Sequence, residues 1–514
     1  MNTALPTDDE TLVSALGDRS PEVRALALRR LPDRLVGPRL DRAAEDASAA
    51  VRAEALRRVS KREDLNRLLS ALEDADPYVQ QASREALKRL LGTEELAGLF
   101  QSDRPARRVG ALLVLRESGR PDATRVLADA LKDADRSVRF LAIQWVGEEK
   151  LAAFEPKLRE SLESGTIDRT LFAASLAALE RLEGRSRGPK GEVGGEEYVA
   201  ALLSDPGSSP TVQLRALLAL RPDHPAVTLE WLSRAVRSSD PEIQVGAVRT
   251  LRELANPGRF ELLDRVAGDE SWPVEARAEA VVGLGAAPSL EGPRRALLLS
   301  LATGKERTLR HEALRSLRGA NLTGPERTLL QQVGEADPEA SELLEAVGGW
   351  KTAARSKSEP LSSWLERLKG PADPAAGSRV FFHPKGPGCY RCHQVDGHGG
   401  NVGPDLTATG PTQTLERLIE SVVNPSKEVA PQFAAHAVAL KDGTTVTGNL
   451  VESTEAAHVY GDAEGKRIPV KPADIEEDRP LTTSIMPEDL PGLMTPQEFR
   501  DLVAFLRQSR SNAK

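Results

Sequence analysis

Two cysteines and a histidine, Cys389, Cys392 and His393, are the residues of this sequence best suited to hold a prosthetic group. They stand in the order Cys-x-x-Cys-His, which is the attachment pattern of a c-type haem. Each thiol adds across one haem vinyl group, and the two residues between them, on a helical turn, set the sulfur atoms at the required separation. The histidine that follows then faces the iron. The pattern predicts one covalent haem c, with Cys389 and Cys392 as attachment points and His393 as an iron ligand.

Two other kinds of site use a Cys-x-x-Cys pair, namely a thiol–disulfide redox centre and half of a tetrahedral zinc site. A zinc site of this type needs a second pair of ligands at a matching spacing. The chain has two cysteines in total, and the histidines nearest to them, His383 and His398, are so close in sequence that they would make an unusual cage. The adjacent His393 therefore favours haem over both alternatives.

The segment Gly403-Pro-Asp-Leu-Thr407 follows the attachment motif. In cytochromes c, a Gly-Pro-x-Leu segment places its proline carbonyl against the second nitrogen of the iron-bound imidazole. That hydrogen bond fixes the tautomer and the plane of the ring. We therefore expect the carbonyl of Pro404 beside His393 and the side chain of Leu406 on a haem face.

The sixth iron ligand is expected to be a methionine, since a thioether opposite histidine is usual in electron-transfer cytochromes and raises the potential. Met486 lies in Ser484-Ile-Met-Pro487, where the proline favours an extended backbone before it. It is preferred over Met494, whose alternative role is to fill the core beneath the haem. The remaining alternatives are an open site or one of four histidines, His383, His398, His436 or His458.

Helices are predicted on both sides of these motifs. Residues 375–382 and 414–423 have helical patterns, and a closing helix over 495–506 begins at Thr495 with Glu498 in the capping-box position. In the general plan of cytochrome c, the first and last helices pack against each other.

A β insertion is predicted at about 432–480, between the middle helix and Met486. Apolar and polar residues alternate there, and Asp442-Gly443 between two such runs is a strong hairpin signal. We expect a small antiparallel sheet of three to five strands. It could cover the haem edge, dock a partner or complete the fold.

The first 350 residues carry an internal repeat, in which an aspartate stands five residues before a valine. The valines at 23, 51 and 79 are 28 residues apart. Amphipathic patterns on both sides predict about eleven pairs of short helices that bury their apolar faces by stacking. The pattern resembles the HEAT-repeat family in its form of about 30 residues. The arginines after three of the valines are expected to pair with a turn aspartate of a neighbouring repeat: Arg24, Arg52 and Arg139.

Residues 351–371 are rich in Ser, Lys and Pro and are predicted to be a linker with one short helical patch. The expected domains are thus a HEAT-repeat α-solenoid over 1–350 and a cytochrome c-like haem domain over 372–514. The Gly-rich stretch at 184–197 interrupts the repeats and is predicted to be a loop. The fold class is mainly α: a helical solenoid followed by a cytochrome c-like helical domain with a small antiparallel β insertion.

Composition excludes several classes of function. The net charge of −8 does not favour nucleic-acid binding, and no apolar run is long enough to be a transmembrane segment. The first residues have neither a basic start nor an apolar segment, so they do not form a signal peptide. Because covalent haem attachment takes place outside the bacterial cytoplasmic membrane, we expect a periplasmic or otherwise extracytoplasmic protein that has lost a leader.

The C-terminal motifs together resemble the Planctomycetes-type haem-binding domain family, a cytochrome c with a β insertion. The resemblance covers roughly residues 372–510. It rests on the haem motif Cys389–His393, Gly403-Pro-Asp-Leu-Thr407, Val423-Asn-Pro-Ser-Lys-Glu428, Asp442-Gly443, Ser484-Ile-Met-Pro487 and the closing Leu502-Val-Ala-Phe-Leu506. It implies that Cys389, Cys392, His393 and Met486 are haem residues. In that family the domain commonly follows HEAT repeats and a propeller-type dehydrogenase module, and no propeller-like strand pattern precedes the repeats here.

We expect the chain to be an electron carrier and not an enzyme. It would accept single electrons from a redox partner such as a dehydrogenase, pass them to a respiratory acceptor, and use the repeats as a docking scaffold. A haem peroxidase or ligand sensor with a labile sixth ligand is one alternative. The other is a HEAT scaffold in which the haem is regulatory.

Overall fold

The computed structural model describes residues 8–164, 167–184, 196–347 and 359–508. The chain forms two compact units, Met1–Tyr198 and Val199–Lys514. Helix predominates, which confirms the predicted mainly α class. The domain limits predicted at 350 and 372 stay a prediction. Most of the Gly-rich stretch at 184–197, the first part of the expected linker and the last residues of the chain lie outside the described residues.

The described part of the first unit is built of helix pairs. Its α-helices are α1 (Asp9–Ala15), α2 (Pro21–Arg30), α3 (Asp33–Val36), α4 (Leu40–Ala44), α5 (Ala49–Arg57), α6 (Leu65–Ala71), α7 (Pro77–Leu90), α8 (Thr93–Gly98), α9 (Pro105–Ser118), α10 (Leu127–Ala130), α11 (Arg136–Glu148), α12 (Glu155–Leu162) and α13 (Arg169–Leu182). Helices α2, α5, α7, α9, α11 and α13 contact one another in series, and each also contacts the helix before it. Stacking in series is how short helices bury apolar faces that they could not bury alone.

Ion pairs between successive repeats hold this stack in register. Arg24 contacts Asp46 at 2.7 Å, and Arg52 contacts Asp74 at 2.8 Å. The hydrogen bond from Arg24 keeps the pKa of Asp46 below its ordinary value. Both pairs confirm the predicted contact between a repeat arginine and the turn aspartate of a neighbour. Arg139 donates to backbone carbonyls in the turn of its own repeat.

The second unit continues the helix pairs. After α14 (Glu196–Ser204), which spans the boundary between the units, its helices are α15 (Pro210–Ala219), α16 (Leu229–Ala235), α17 (Pro241–Glu253), α18 (Arg259–Gly268), α19 (Val274–Leu284), α20 (Gly292–Ala302), α21 (Arg307–Ser316), α22 (Gly324–Ala336) and α23 (Pro338–Val347). The odd-numbered helices from α15 to α23 contact one another in series.

The C-terminal segment adds helices and two sheets to this unit. Its helices are α24 (Leu361–Arg367), α25 (Pro374–Phe382), α26 (Leu415–Val423) and α27 (Pro496–Arg507). Its strands are β1 (Gln394–Val395), β2 (His398–Gly399), β3 (Ala435–Leu440), β4 (Thr445–Ser453), β5 (His458–Gly461), β6 (Arg467–Val470) and β7 (Ile475–Pro480).

Helices α25 and α27 pack together, as predicted for the first and last helices of a cytochrome c plan. At their contact, a Cβ on Gly377 would lie 1.9 Å from the carbonyl oxygen of Asp501, so only glycine allows this approach. Thr495 and Glu498 form the predicted capping box at the start of α27. Trp364 of α24 packs edge-on against Phe499 of α27 at 5.5 Å. This part of the expected linker is therefore a packed helix of the same core.

The β insertion is a five-stranded antiparallel sheet in the order β6-β5-β4-β3-β7. Gly443 has a φ of +84° in the turn between β3 and β4, as the hairpin signal predicts. Val438, Tyr460 and Val470 form a small apolar core of its own.

Buried ion pairs join the C-terminal segment to the repeats of the same unit. Glu498 of α27 contacts Arg315 at 2.6 Å and Arg318 at 2.7 Å. Burial opposes the charge of Glu498, but these two arginines hold its pKa below the ordinary value. The glutamate that caps α27 therefore also binds that helix to the end of α21.

A second group of ion pairs centres on Arg379 of α25. Its guanidinium contacts Glu312 of α21 at 2.8 Å and Glu275 of α19 at 3.0 Å. The side chains of Arg379 and Glu312 are each 2% exposed. Charges buried this deeply are stable only when they are paired. These ion pairs therefore stabilise the contact of α25 with α21 and α19.

Candidate haem site

The attachment motif forms a helical turn directly after α25. The amide of Arg391 donates to the carbonyl of Gly388, and the amide of His393 donates to that of Cys389, both at 3.0 Å. Gly388 enters the turn with a φ of +74°. The turn brings Cys389 and Cys392 close in space without a disulfide between them. This is the local structure that the Cys-x-x-Cys-His spacing predicts.

The His393 imidazole is held by the residue expected from the sequence. Its Nδ1 lies 2.9 Å from the carbonyl oxygen of Pro404. A carbonyl can only accept, so Nδ1 carries the proton and Nε2 keeps its lone pair. Burial lowers the pKa of His393, which keeps the ring neutral. Among the described residues Nε2 has no hydrogen-bond partner, so it is the atom able to bind a metal.

The loop after the motif is fastened to the motif by backbone hydrogen bonds. The amide of Gly403 donates to the carbonyl of Cys392 at 2.7 Å, and the amide of Leu406 donates to that of Gln394 at 2.8 Å. A Cβ on Gly403 would lie 2.7 Å from the imidazole carbon Cε1 of His393, so glycine lets the backbone lie against the ring. These contacts place the Pro404 carbonyl where the imidazole needs it.

The thiols do not have the lowered pKa of a redox dithiol. Burial raises the pKa of Cys389 to about 12 and also raises the pKa of Cys392. A thiol–disulfide exchange centre needs a lowered pKa, because the thiolate is the nucleophile. Within the described residues, no group of three or more His, Cys, Asp or Glu side chains is arranged to hold a metal ion. The raised thiol pKa values thus disfavour a thiol–disulfide exchange centre.

The two candidate methionines occupy different environments. Met494 is 1% exposed and belongs to the main apolar core. Met486 is partly buried and packs against the same core, as do Cys389 and Leu406. Its loop is held by two hydrogen bonds, from the Met486 amide to Ser484 Oγ at 3.1 Å and from the Ser484 amide to Ser426 Oγ at 3.2 Å. The thioether of Met486 is thus more exposed than that of Met494, so it is the more accessible of the two to a metal beside this core.

The four histidines considered as alternative iron ligands make other side-chain contacts, and the first of them is His383. His383 is fully buried, accepts the Lys385 amide at Nδ1 and lies 3.2 Å from Ser316 Oγ through Nε2. Burial, with nearby Arg315 and Arg318, lowers the pKa of His383 well below its ordinary value. Nδ1 is therefore used by a local backbone amide, and Nε2 faces Ser316 of the repeats.

The other three histidines lie outside the attachment turn. His398 binds Glu253 of α17 at 2.9 Å. His436 and His458 lie in the five-stranded sheet. There His436 binds Asp478 at 2.6 Å, and His458 packs edge-on against Tyr460. The choice of Met486 as the second iron ligand stays a prediction.

The β insertion touches the attachment loop. Asn449 of β4, which is buried, donates from Nδ2 to the carbonyl of Val402 at 3.2 Å. Val402 itself is buried between the loop and the sheet. The central strand of the insertion thus supports the loop that carries Gly403 and Pro404.

The residues present fit a covalently attached haem. Cys389, Leu406 and the half-buried thioether of Met486 pack against one apolar core. Cys392 and His393 lie on the same turn as Cys389, where the imidazole is neutral and its Nε2 faces no described hydrogen-bond partner. Sulfur, imidazole and thioether donors are the groups that bind haem in c-type sites.

Comparison with known proteins gives no family. No protein-family model matches the sequence, and no curated protein matches it. Human deoxyhypusine hydroxylase in complex with glycerol is similar at 18% identity over 50% of this chain and 95% of that one, with a TM-score of 0.20. The karyopherin Kap121p bound to the extreme C-terminus of the protein phosphatase Cdc14p is similar at 11% identity and a TM-score of 0.30. That match covers 65% of this chain and 49% of the karyopherin.

No described helix combines the length and the apolar character needed to cross a membrane.

Sequence reasoning missed two residues of the site. Ser426 lies within the motif Val423-Asn-Pro-Ser-Lys-Glu428, and that motif was the available signal for its contact with the Met486 loop. Glu253 lies in a repeat helix 145 residues before its partner His398, and no local pattern marks it.

Proposed function

We propose that the C-terminal segment, from about residue 372, is a c-type cytochrome domain that carries one covalent haem c and transfers single electrons. The observation that carries the proposal is the His393 imidazole held by the Pro404 carbonyl at 2.9 Å, directly beside two free cysteines. When bound, the haem supplies a one-electron Fe(II)/Fe(III) couple.

Each residue of the site has a defined task. Cys389 and Cys392 would hold the haem through thioether bonds, and His393 would bind the iron through Nε2. The Pro404 carbonyl fixes the tautomer of that imidazole, which keeps the ligand basic and correctly oriented. Met486 would be the second protein ligand of the iron, and an iron held by two protein ligands would suit an electron carrier, since that role needs no substrate position.

The helix pairs support a second part of the proposal. A stacked array of this kind offers an extended surface for protein partners. We assign it to HEAT-type repeats that dock a redox partner, such as a dehydrogenase that donates electrons or a respiratory acceptor. Because haem is attached covalently outside the bacterial cytoplasmic membrane, the proposed place of action is the periplasm or another extracytoplasmic compartment.

Intact-mass spectrometry tests the proposal on protein made together with c-type maturation machinery. The wild-type chain is expected to carry the mass of one haem, and a pyridine haemochrome spectrum is expected to report two thioether bonds. Cys389→Ser and Cys392→Ser should each give a single-thioether spectrum, and the double variant should lose covalent haem. A wild-type chain without added haem mass, purified from its native host, would refute the proposal.

Carbon monoxide distinguishes an electron carrier from the peroxidase or sensor alternative. Reduced wild-type protein with both axial positions filled is expected not to bind carbon monoxide without denaturation. Rapid binding to the native protein would favour a labile sixth ligand.

A further inference from the structure

Helix α17 of the repeats ends with a carboxylate on the haem-attachment loop. Glu253 Oε1 lies 2.9 Å from His398 Nδ1, and Glu253 Oε2 accepts the amide of Gly399 at 3.1 Å. The side chain of Glu253 is 15% exposed and that of His398 is 9% exposed. One carboxylate thus binds both residues of β2, the second strand of the hairpin that follows the attachment motif.

The strand bound by Glu253 lies directly against the iron ligand. Strands β1 and β2 form a short hairpin that begins at the residue after His393. Gly399 in this hairpin has a φ of +99°, and a Cβ there would lie 2.3 Å from the carbonyl oxygen of His393. The next amide, that of Gly400, donates to the carbonyl of Tyr390 at 2.7 Å. Gly399 is therefore packed directly against the backbone that carries His393.

Glu253 is charged in this position. Burial alone would raise the pKa of its carboxyl group, but the contacts with His398, Arg252 and the Gly399 amide hold the pKa below the ordinary value. Arg252 Nε lies 3.7 Å from Glu253 Oε1, while its guanidinium stacks over Phe382 at 4.1 Å. The repeats therefore place a carboxylate beside the attachment loop, together with the guanidinium of Arg252.

We propose that Glu253 is a positioning residue of the haem site, through which the repeat array fixes the hairpin behind His393 and lowers the reduction potential of the haem. This inference rests on the proposed function of the C-terminal segment. A buried negative charge stabilises the oxidised, more positive state of the iron, so its presence favours Fe(III). The repeats would thus set the potential of the cytochrome in addition to any role in docking.

Glu253→Gln in the full-length, haem-loaded chain tests this role. The amide keeps the size of the side chain and an acceptor oxygen but removes the charge. The reduction potential is expected to shift in the positive direction. Hydrogen exchange at the Gly399 amide is expected to be about tenfold faster, the factor that corresponds to the loss of roughly one charge-assisted hydrogen bond.

Glu275→Gln is the matched control. Glu275 is another glutamate at the contact between the repeats and the C-terminal segment, where it binds Arg379 at 3.0 Å and makes no described contact with the attachment loop. Its removal is expected to leave the potential and the Gly399 exchange rate at wild-type values. Equal shifts in both variants would show a general effect of interface charge and would overturn the positioning role.

Glu253→Asp distinguishes the effect of the negative charge from the effect of side-chain length. It also provides a test if Glu253→Gln does not fold. It keeps the negative charge one methylene further from the hairpin, so exchange at Gly399 should be faster while the potential changes less than in Glu253→Gln. Wild-type exchange in both variants would overturn the inference.

The two proposals can fail separately. A chain that carries no haem mass refutes the cytochrome, and Gly399 exchange measured on that haem-free chain still tests the contact. A haem-loaded Glu253→Gln protein with wild-type potential and exchange leaves the cytochrome intact and refutes the role of Glu253.

Discussion

At the scale of single residues, the two methionines illustrate how burial separates a ligand from a core residue. Met486→Leu removes the thioether from the proposed iron ligand, so the weak absorption band of oxidised His/Met haem near about 695 nm is expected to disappear. Met494→Leu conserves volume in a closed core, so the band should remain and the free energy of unfolding should fall by less than about 1.5 kcal/mol. Visible spectroscopy and denaturant titration measure the two effects. Loss of the band in Met494→Leu alone would reverse the assignment.

Asp501 is a second residue whose environment decides its chemistry. Its carboxylate accepts the Asp373 amide at 2.8 Å and the Gln497 side chain at 2.7 Å. Burial, with the negative charge of Glu339 nearby, nevertheless raises the pKa of Asp501 to about 6. The folded state therefore binds this proton more tightly than the unfolded state. Its contribution to stability is complete below pH of about 4 and is lost as the pH rises through about 6.

Asp501→Asn should remove this pH dependence. The amide oxygen can still accept both hydrogen bonds, so the variant is expected to be more stable than wild type by about 1–2 kcal/mol at pH 7 and no more stable at pH 4. Urea unfolding of the full chain at both pH values measures the difference. Glu416→Gln on the exposed face of α26 is the control and should show no such trend. A constant difference at both pH values would contradict the prediction.

At the scale of elements, the contact between α25 and α27 depends on one glycine. Gly377→Ala places a Cβ against the carbonyl of Asp501, 1.9 Å away, so the helices must separate. We expect a loss of about 3 kcal/mol in the free energy of unfolding and a less ordered Cys-x-x-Cys-His turn after α25. Denaturant unfolding followed by tryptophan fluorescence measures the loss.

Gly324→Ala is the control for this substitution. Gly324 begins α22, is exposed, and a Cβ there meets nothing within 4 Å. Alanine at this position should be neutral or slightly stabilising, because it reduces the freedom of the unfolded chain. Equal losses in the two variants would show that the cost at Gly377 does not come from the helix contact.

At the scale of the molecule, the buried ion pairs bind the C-terminal segment to the repeats of its own unit. Glu498→Gln leaves Arg315 and Arg318 buried without their carboxylate, which is expected to cost about 3–5 kcal/mol. Because Glu498 caps α27 and binds α21, both helices should exchange their amide hydrogens faster by a similar factor. Hydrogen exchange with mass spectrometry on the full chain compares them.

Arg417→Gln is the control at this scale, since it breaks an ion pair with Glu428 whose side chains are 54% and 71% exposed. Such pairs contribute little, so no change in exchange is expected. Faster amide exchange in α27 with unchanged exchange in α21 would contradict the prediction, because it would show that the two helices do not unfold together.

Local patterns in the sequence were enough to predict much of the local structure of the candidate site. The Cys-x-x-Cys-His order, the carbonyl of Pro404 beside His393 and the capping box of Thr495 and Glu498 all depend on residues close together in the chain. The hairpin at Asp442-Gly443 is equally local, because the turn needs a residue that adopts positive φ. The repeat arginines could be assigned because the same spacing recurs, so that one contact predicts the next.

The tertiary structure alone decided which distant groups meet. Glu498 reads from the sequence as a helix cap, and only the fold shows that Arg315 and Arg318, more than 100 residues earlier, bind the same carboxylate. The sequence predicts that Trp364 is part of a linker, and only the tertiary structure shows that it packs against Phe499. Glu253 carries no local signal at all. Periodicity records which face of an element is buried, but the partner of a buried charge is set by how elements pack, and single-chain patterns do not encode that.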